Sequence, residues 1–268
     1  MELDPAHALV VLSGGQDSTT CLGYALENYD KVSCVTFDYG QRHSIEIDAA
    51  NKVRAFFEER TGRTIAHLVV KLAPDTFAGM SPLTDPEQDL ETYDSAEQMN
   101  EVIGARVELT FVPMRNAVFL MIAANRAVVM GAGVLVTGVC QQDNANYPDC
   151  REVFIENAAF TINTALGLDT SLDPEFYVDT PLINLTKAQS IDMALQTPHT
   201  YHALAYSHTA YDGKYPPTGK DHASTLRADG FVKAGVPDPL VMRAVSEGLM
   251  EMPISANYDL HRTFRSPK

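Results

Sequence analysis

The feature that most restricts what this chain can fold into is a short loop, Ser13-Gly14-Gly15-Gln16-Asp17-Ser18. It follows the apolar run Ala8-Leu9-Val10-Val11-Leu12 and opens a helical stretch from Thr19 to Leu26. A continuous apolar run before a glycine-rich turn and a helix reads as a strand covered on both faces, the strand of a parallel sheet. Two glycines let the backbone bend tightly, and successive N–H groups with the helix N-terminus form a cradle for an anion such as phosphate. Ser13, Ser18 and Thr19 add hydroxyl donors. Asp17 would oppose a phosphate unless a Mg²⁺ ion lies between them. No lysine stands where a Walker-type loop requires one, so this is a phosphate loop of another kind.

The pattern then repeats. Val32 to Phe37 reads as a second buried strand, ending in Asp38-Tyr39-Gly40-Gln41-Arg42-His43 before a helix from about Ile45 to Arg60. Ile65 to Val70 reads as a third strand. Ala73 to Ala105 carries Pro74, Pro82 and Pro86, many acids and little apolar periodicity, and is expected to be a long surface excursion. Val107–Val112 is expected to be a strand, followed by a helix over Ala117–Met130 and a strand over Val134–Val139. A helix over Glu152–Leu166, a short strand near Phe176–Val178 and a helix over Lys187–Leu195, capped by Thr186 or Asn184, come next. His199 to Arg227 reads as polar and irregular, and Arg227–Ala234 and Asp238–Gly248 as helical. Alternating strands and helices predict a doubly wound α/β fold with a mostly parallel sheet. Residues 1–198 are expected to form the nucleotide-binding unit, with 199–268 a C-terminal extension packed on it.

Composition narrows the function. A net charge of −15, from 35 acidic and 20 basic side chains, repels a nucleic-acid backbone, and no Lys/Arg cluster offsets it. No apolar run is long enough to span a bilayer, and the N-terminus lacks the cationic segment of a secretory signal, so a cytoplasmic protein is expected. Cys21, Cys34, Cys140 and Cys150 form no C-x-x-C pair. Cys21 and Cys34 lie in apolar stretches that predict buried thiols. Cys150, beside Arg151, is either a nucleophile in a cationic setting or a lining residue.

S-G-G-x-D-S after a first strand resembles the pyrophosphate loop of the N-type ATP pyrophosphatases, which cleave ATP between its α and β phosphates. Four further blocks narrow the resemblance to the 7-cyano-7-deazaguanine synthase family. They are Phe37–His43, Phe111-Val112-Pro113-Met114-Arg115-Asn116, Tyr147-Pro148-Asp149-Cys150-Arg151, and Thr180-Pro181-Leu182 with Leu185-Thr186-Lys187. The likeness covers nearly the whole chain in order. It implies an ATP-dependent, AMP-forming ligase that turns 7-carboxy-7-deazaguanine and ammonia into the amide and then the nitrile. It also implies ATP and Mg²⁺ as cofactors, a separate ammonia source and a homodimer, with no nucleic-acid or membrane partner.

In that role Ser13, Gly14, Gly15, Gln16, Asp17, Ser18, Thr19 and Phe37 are expected to bind ATP. Asp17, Lys187 and Arg115 are the catalytic candidates, with Asp17 also a candidate Mg²⁺ ligand. Arg42 and Arg115 offer planar donor forks for phosphate or carboxylate oxygens. Lys187, near a helix start, can neutralise charge developing on the α-phosphate. Tyr39, Gln41, Arg42, Asp143, Tyr147, Asp149 and Arg151 are expected to bind the base. The Asp143–Arg151 stretch follows a strand and should open at the carboxyl edge of the sheet.

The family's four zinc-binding cysteines are missing. Ala210, Thr218, Asp221 and Ser224 stand in their places, and neutral Ala, Thr and Ser cannot replace thiolates around tetrahedral zinc. No bound zinc is therefore expected, although His199, His202, His208 and His222 leave a rebuilt metal site open. Packing of Tyr201, Tyr206, Tyr211 and Tyr215 is the expected substitute. A branch of this kind can keep nitrile synthesis, stop at the amide, or pass the acyl group to another amine. A non-catalytic nucleotide-binding subunit is a further alternative, opposed by the presence of Asp17, Arg115 and Lys187.

Overall fold

A computed structural model describes residues 2–41, 45–85, 87–141, 146–168 and 176–262. Among these residues five strands form one sheet: β1 (Asp4–Val11), β2 (Lys31–Asp38), β3 (Ala66–Lys71), β4 (Ala132–Val136) and β5 (Tyr177–Asp179). Their spatial order is β3-β2-β1-β4-β5, and every pairing is parallel. Val10 of β1 is in register with Cys34 of β2 on one side and Val136 of β4 on the other. Between β1 and β4 the chain changes direction along the sheet. Loops leaving these two strands therefore part and open a crevice at their carboxyl ends.

The pleat of β1 divides the core. Ala8, Val10 and Leu12 point to one face, where α1 (Gln16–Asn28) and α2 (Ile45–Thr61) supply Cys21, Leu22, Ala25, Val53 and Phe57. Leu9 points to the other, against α4 (Arg115–Val129) and α5 (Glu152–Leu166), which supply Leu120, Ala123, Ala127, Ile155 and Ile162. A side chain as enclosed as Leu9 contributes about 1.5–3 kcal/mol relative to exposure. Because both faces are covered, the strands carry continuous apolar runs, and that is why they were readable in the sequence.

Two expectations fail here. Val107–Val112 is not a strand. Glu108 and Thr110 are buried while Val107 and Leu109 are exposed, so the alternation faces its polar side inward. Glu108 accepts from the Thr110 backbone N–H, the Thr110 hydroxyl and the Tyr147 hydroxyl, and Phe111 N–H closes a turn on the Glu108 carbonyl. The 73–105 excursion is also not wholly a surface loop. Phe77, Leu83, Tyr93, Met99 and Ile103 are buried, and α3 (Ala96–Ile103) packs near Leu226 of α8 (His222–Ala234).

The C-terminal residues close over the sheet. α6 (Lys187–Gln196) begins with a capping box made by Thr186 and Gln189 and packs on α8 through Ile191 and Phe231. α7 (Thr200–Ala203) touches α1 so closely that Gly23 has no room for a Cβ beside Thr200. α8 starts five residues before the expected Arg227 because Asp221 caps it, accepting from Ser224 N–H. α9 (Pro239–Ser246) and α10 (Asp259–Arg262) follow. Among the described residues no helix is long and apolar enough to cross a membrane.

Candidate active site

The glycine-rich loop lies at the carboxyl end of β1. Gly14 adopts φ +88°, and a Cβ there would lie 2.3 Å from the Glu46 carbonyl oxygen and 2.7 Å from the Ala50 nitrogen. Only glycine permits α2 to press this closely. Ser13 Oγ and Ser18 Oγ are 3.0 Å apart, and Thr19 Oγ1 donates to the Gly15 carbonyl at 2.8 Å. Gly15 is the N-cap of α1 and has no side-chain cap, which leaves the first-turn N–H groups directed at the crevice. Gln16 is 3% exposed, lines the cavity, and both its amide atoms are buried without a partner among the described residues. Such a group takes its partner from water or from a bound ligand in the cavity.

The second wall comes from the end of β4. Gly138 packs against the loop with space for a Cβ only 3.1 Å from the Asp17 carbonyl carbon. Lys187, the first residue of α6, reaches back to Asp17, its Nζ 3.0 Å from Oδ1 and 2.8 Å from Oδ2. A residue expected to meet phosphate and one expected to hold a cation thus face each other across 170 residues of sequence. Tyr147 and the exposed Arg151 line the same cavity. Arg42 and Asp143 lie outside the described residues.

The third wall is aromatic and cationic. Phe37 stacks on Phe119 with ring centroids 4.2 Å apart, and Tyr39 leans on the same ring. Arg115 Nη1 donates to the Tyr39 hydroxyl at 3.4 Å. Burial works against the Arg115 charge, but the Tyr39 hydroxyl that accepts from it favours the charged form, and the Arg115 pKa is raised rather than lowered. Burial also raises the hydroxyl pKa values of all three tyrosines, so these stay neutral. Gln41 reaches this wall as well, its Oε1 accepting from Tyr39 N–H.

Asp149 departs from its expected place. It is not among the residues that line the cavity; its Oδ2 accepts from Asn116 N–H at 3.3 Å and its carbonyl accepts from Asn116 Nδ2. It stands behind the wall and holds the first turn of α4, which carries Arg115. Cys150 does line the cavity, 3.4 Å from Asn116 Nδ2, and Cys140 Sγ donates to the Leu185 carbonyl. Cys21 and Cys34 are buried as expected.

The C-terminal segment forms the roof. His208 N–H donates to the Gly14 carbonyl at 2.8 Å, tying the segment to the glycine-rich loop. Arg227 is 3% exposed and spends its donors on Asp238, Ser207, Thr209 and the Leu204 carbonyl, which fixes residues 204–209. The positions expected to have lost zinc ligands are occupied differently. Ala210 has no donor atom in its side chain, Thr218 donates to Asp212, and Asp221 and Ser224 bond to each other at the α8 cap. This set does not fit a zinc ion, and among the described residues no cluster of three or more His, Cys, Asp or Glu is placed to hold a metal. Of the tyrosines, Tyr215 lies over Arg243 and Tyr201 donates to the Pro237 carbonyl.

The glycine-rich loop, Lys187, the Phe37–Tyr39–Arg115 wall and residues 208–211 surround one cavity of about 370 Å³, within the usual range for small-molecule sites. Glu46 also lines it and was missed in the sequence. The available signal was its place on the buried stripe of α2, in line with Ala49, Ala50, Val53 and Phe57.

Residues 7–235 match the family described as "Queuosine biosynthesis protein QueC". A 7-cyano-7-deazaguanine synthase of Chromobacterium violaceum is 45% identical over 248 residues, covering 90% of this chain and 95% of that protein. The enzyme of the same name from Laribacter hongkongensis is 42% identical over 90% of this chain and 96% of its own length. That of Oceanobacillus iheyensis is 36% identical, with 87% and 96% covered.

Proposed function

We propose, from a chain that belongs to the QueC family of queuosine biosynthesis proteins, how its cavity carries out the ATP-dependent synthesis of 7-cyano-7-deazaguanine. The observation that carries this reading is the convergence of the Ser13–Ser18 cradle, the Asp17–Lys187 pair and the Arg115–tyrosine wall on one cavity.

ATP lies with its β and γ phosphates in the Ser13–Ser18 loop, where uncapped N–H groups of α1 and the two serine hydroxyls receive the oxygens. Gln16, otherwise unpaired, donates to the nucleotide from the floor. A carboxylate oxygen of 7-carboxy-7-deazaguanine attacks the α-phosphorus, the bond to the β-phosphate oxygen breaks, and pyrophosphate leaves with the electron pair. Lys187 leaves Asp17 for the α-phosphate and neutralises charge gathering there. Asp17, an oxygen donor on the cavity wall, is then the residue that would hold Mg²⁺; bound there, the ion would screen the leaving pyrophosphate. Ammonia adds to the acyl carbon, its nitrogen loses one proton to solvent, and AMP departs with the substrate oxygen, leaving the amide. A second ATP adenylates the amide oxygen, and loss of AMP and a proton gives the nitrile. Arg115 and Arg151 hold the carboxylate in line with the phosphate, so that catalysis rests on position and charge.

Pyrophosphate release is the direct test. Adding 7-carboxy-7-deazaguanine to enzyme and MgATP should start it, and release independent of that acid would refute the reading.

A further inference from the structure

Among the described residues, Glu46 is the one carboxyl that lines the aromatic and cationic end of the cavity. Its backbone is fixed with respect to the phosphate loop, because Gly14 leaves no gap between that loop and the first turn of α2. No hydrogen bond to its carboxyl is found among the described residues. Among the described residues, the charged and titratable groups that interact with it are Arg115 from α4, Tyr39 from the turn after β2 and Tyr211 from the C-terminal segment; Asp48 on its own helix is exposed. Glu46 is partly exposed and lines the cavity, so its carboxyl oxygens are open to donors that a bound ligand presents.

The chemistry of the two ligands differs at this point. A guanine-like bicycle presents a ring N–H beside an exocyclic amino group, two parallel donors that match the two oxygens of a carboxylate. Adenine presents an amino donor beside a bare ring nitrogen, which repels a carboxylate oxygen. One carboxyl at this wall therefore accepts the substrate base and refuses the adenine of ATP. Asp149 does not line the cavity and offers no such face.

We propose that Glu46 is the specificity-determining residue for the base, its carboxylate receiving the ring N–H and exocyclic amino group while Tyr39 and Tyr211 flank the ring. This rests on the 7-deazaguanine reading above. Proton linkage follows from it. Burial, only partly offset by Arg115, pushes the free Glu46 carboxyl up to about 7. Bonding to two donors requires the carboxylate, so base binding releases a proton below neutrality and tightens as pH rises from 6 to 8. The tyrosines remain neutral and Arg115 remains charged across that range.

The test is calorimetric binding of 7-carboxy-7-deazaguanine and of its analogue lacking the 2-amino group to wild type, Glu46→Gln and Glu46→Asp. Charge-assisted hydrogen bonds of this type set the expected discrimination at roughly 10- to 100-fold in wild type. Glu46→Gln should bring the ratio to within about threefold by weakening the natural acid alone, with ATP affinity unchanged and the pH dependence flat. Glu46→Asp, which keeps the charge, should preserve both discrimination and pH dependence in reduced form, and guards against a glutamine variant that folds poorly. Full discrimination in Glu46→Gln, or equal weakening of both compounds and of ATP, would overturn the assignment. Failure of wild type to bind either compound would instead reject the 7-deazaguanine reading, and this proposal with it.

Discussion

Replacing Gly230 by alanine tests whether Lys187 acts from the position the helices give it. Gly230 lies inside α8 where that helix crosses α6, and an added Cβ would meet Lys187 Cγ at 2.6 Å, Lys187 Cβ at 3.0 Å and Ile191 Cδ1 at 3.2 Å. These are the root atoms of Lys187, not its mobile tip, so relief requires α6 to shift or the lysine to change rotamer. Overpacking of this kind costs about 1–3 kcal/mol. Alanine in place of a helix-interior glycine returns about 1 kcal/mol, so the net loss of stability should be about 0–2 kcal/mol. Catalysis should suffer more. A displacement of about 1 Å in a positioning group can lower a rate on the order of 10²-fold. Urea unfolding would give the first quantity and substrate-dependent pyrophosphate release the second. A Gly230→Ala enzyme of wild-type rate and reduced stability would refute the role given to Lys187.

Asp17→Asn and Ser18→Ala should each nearly abolish ATP cleavage with circular dichroism unchanged; near-normal pyrophosphate release from both would mean the loop does not hold the nucleotide. Arg227→Ala should destabilise the protein by about 3–5 kcal/mol in urea, because it strands the buried Asp238 carboxylate and frees residues 204–209. Glu46 has a folded-state pKa raised from 4.5 to about 7, so its contribution to stability is full below pH 4.5 and is lost as pH rises through 7. The difference in unfolding midpoint between wild type and Glu46→Gln should change across that window, and a constant difference would contradict the burial of this carboxyl. Elemental analysis of purified protein should find no stoichiometric zinc, given the side chains at 210, 218, 221 and 224.

The parts of the fold that could be read from sequence are those in which local pattern and tertiary environment agree. β1, β2 and β4 carry apolar runs because both faces are covered, and α5 and α6 have the bounds or caps their sequences suggest. Val107–Val112 misled because its alternation is real but inverted, its polar side satisfied by an internal network around Glu108. The core residues of the 73–105 excursion are few and lie in separate short segments: Phe77 and Leu83 join the main core, while Tyr93, Met99 and Ile103 pack near Leu226 of α8, far away in sequence. The glycine-rich turn was legible because a tight turn demands particular residue types in order. Asp149 and Glu46 were not, since either carboxyl suits a base and only packing decides which one faces the cavity.

The central claim is that the substrate carboxyl is activated by adenylation. The most direct measurement follows isotopically heavy oxygen from both positions of the 7-carboxy group during turnover with MgATP and ammonia, with mass spectrometry of nucleotide and base. The account predicts two AMP formed per nitrile, each carrying one heavy oxygen, with none in pyrophosphate. Formation of ADP, or of AMP without the label, would contradict it.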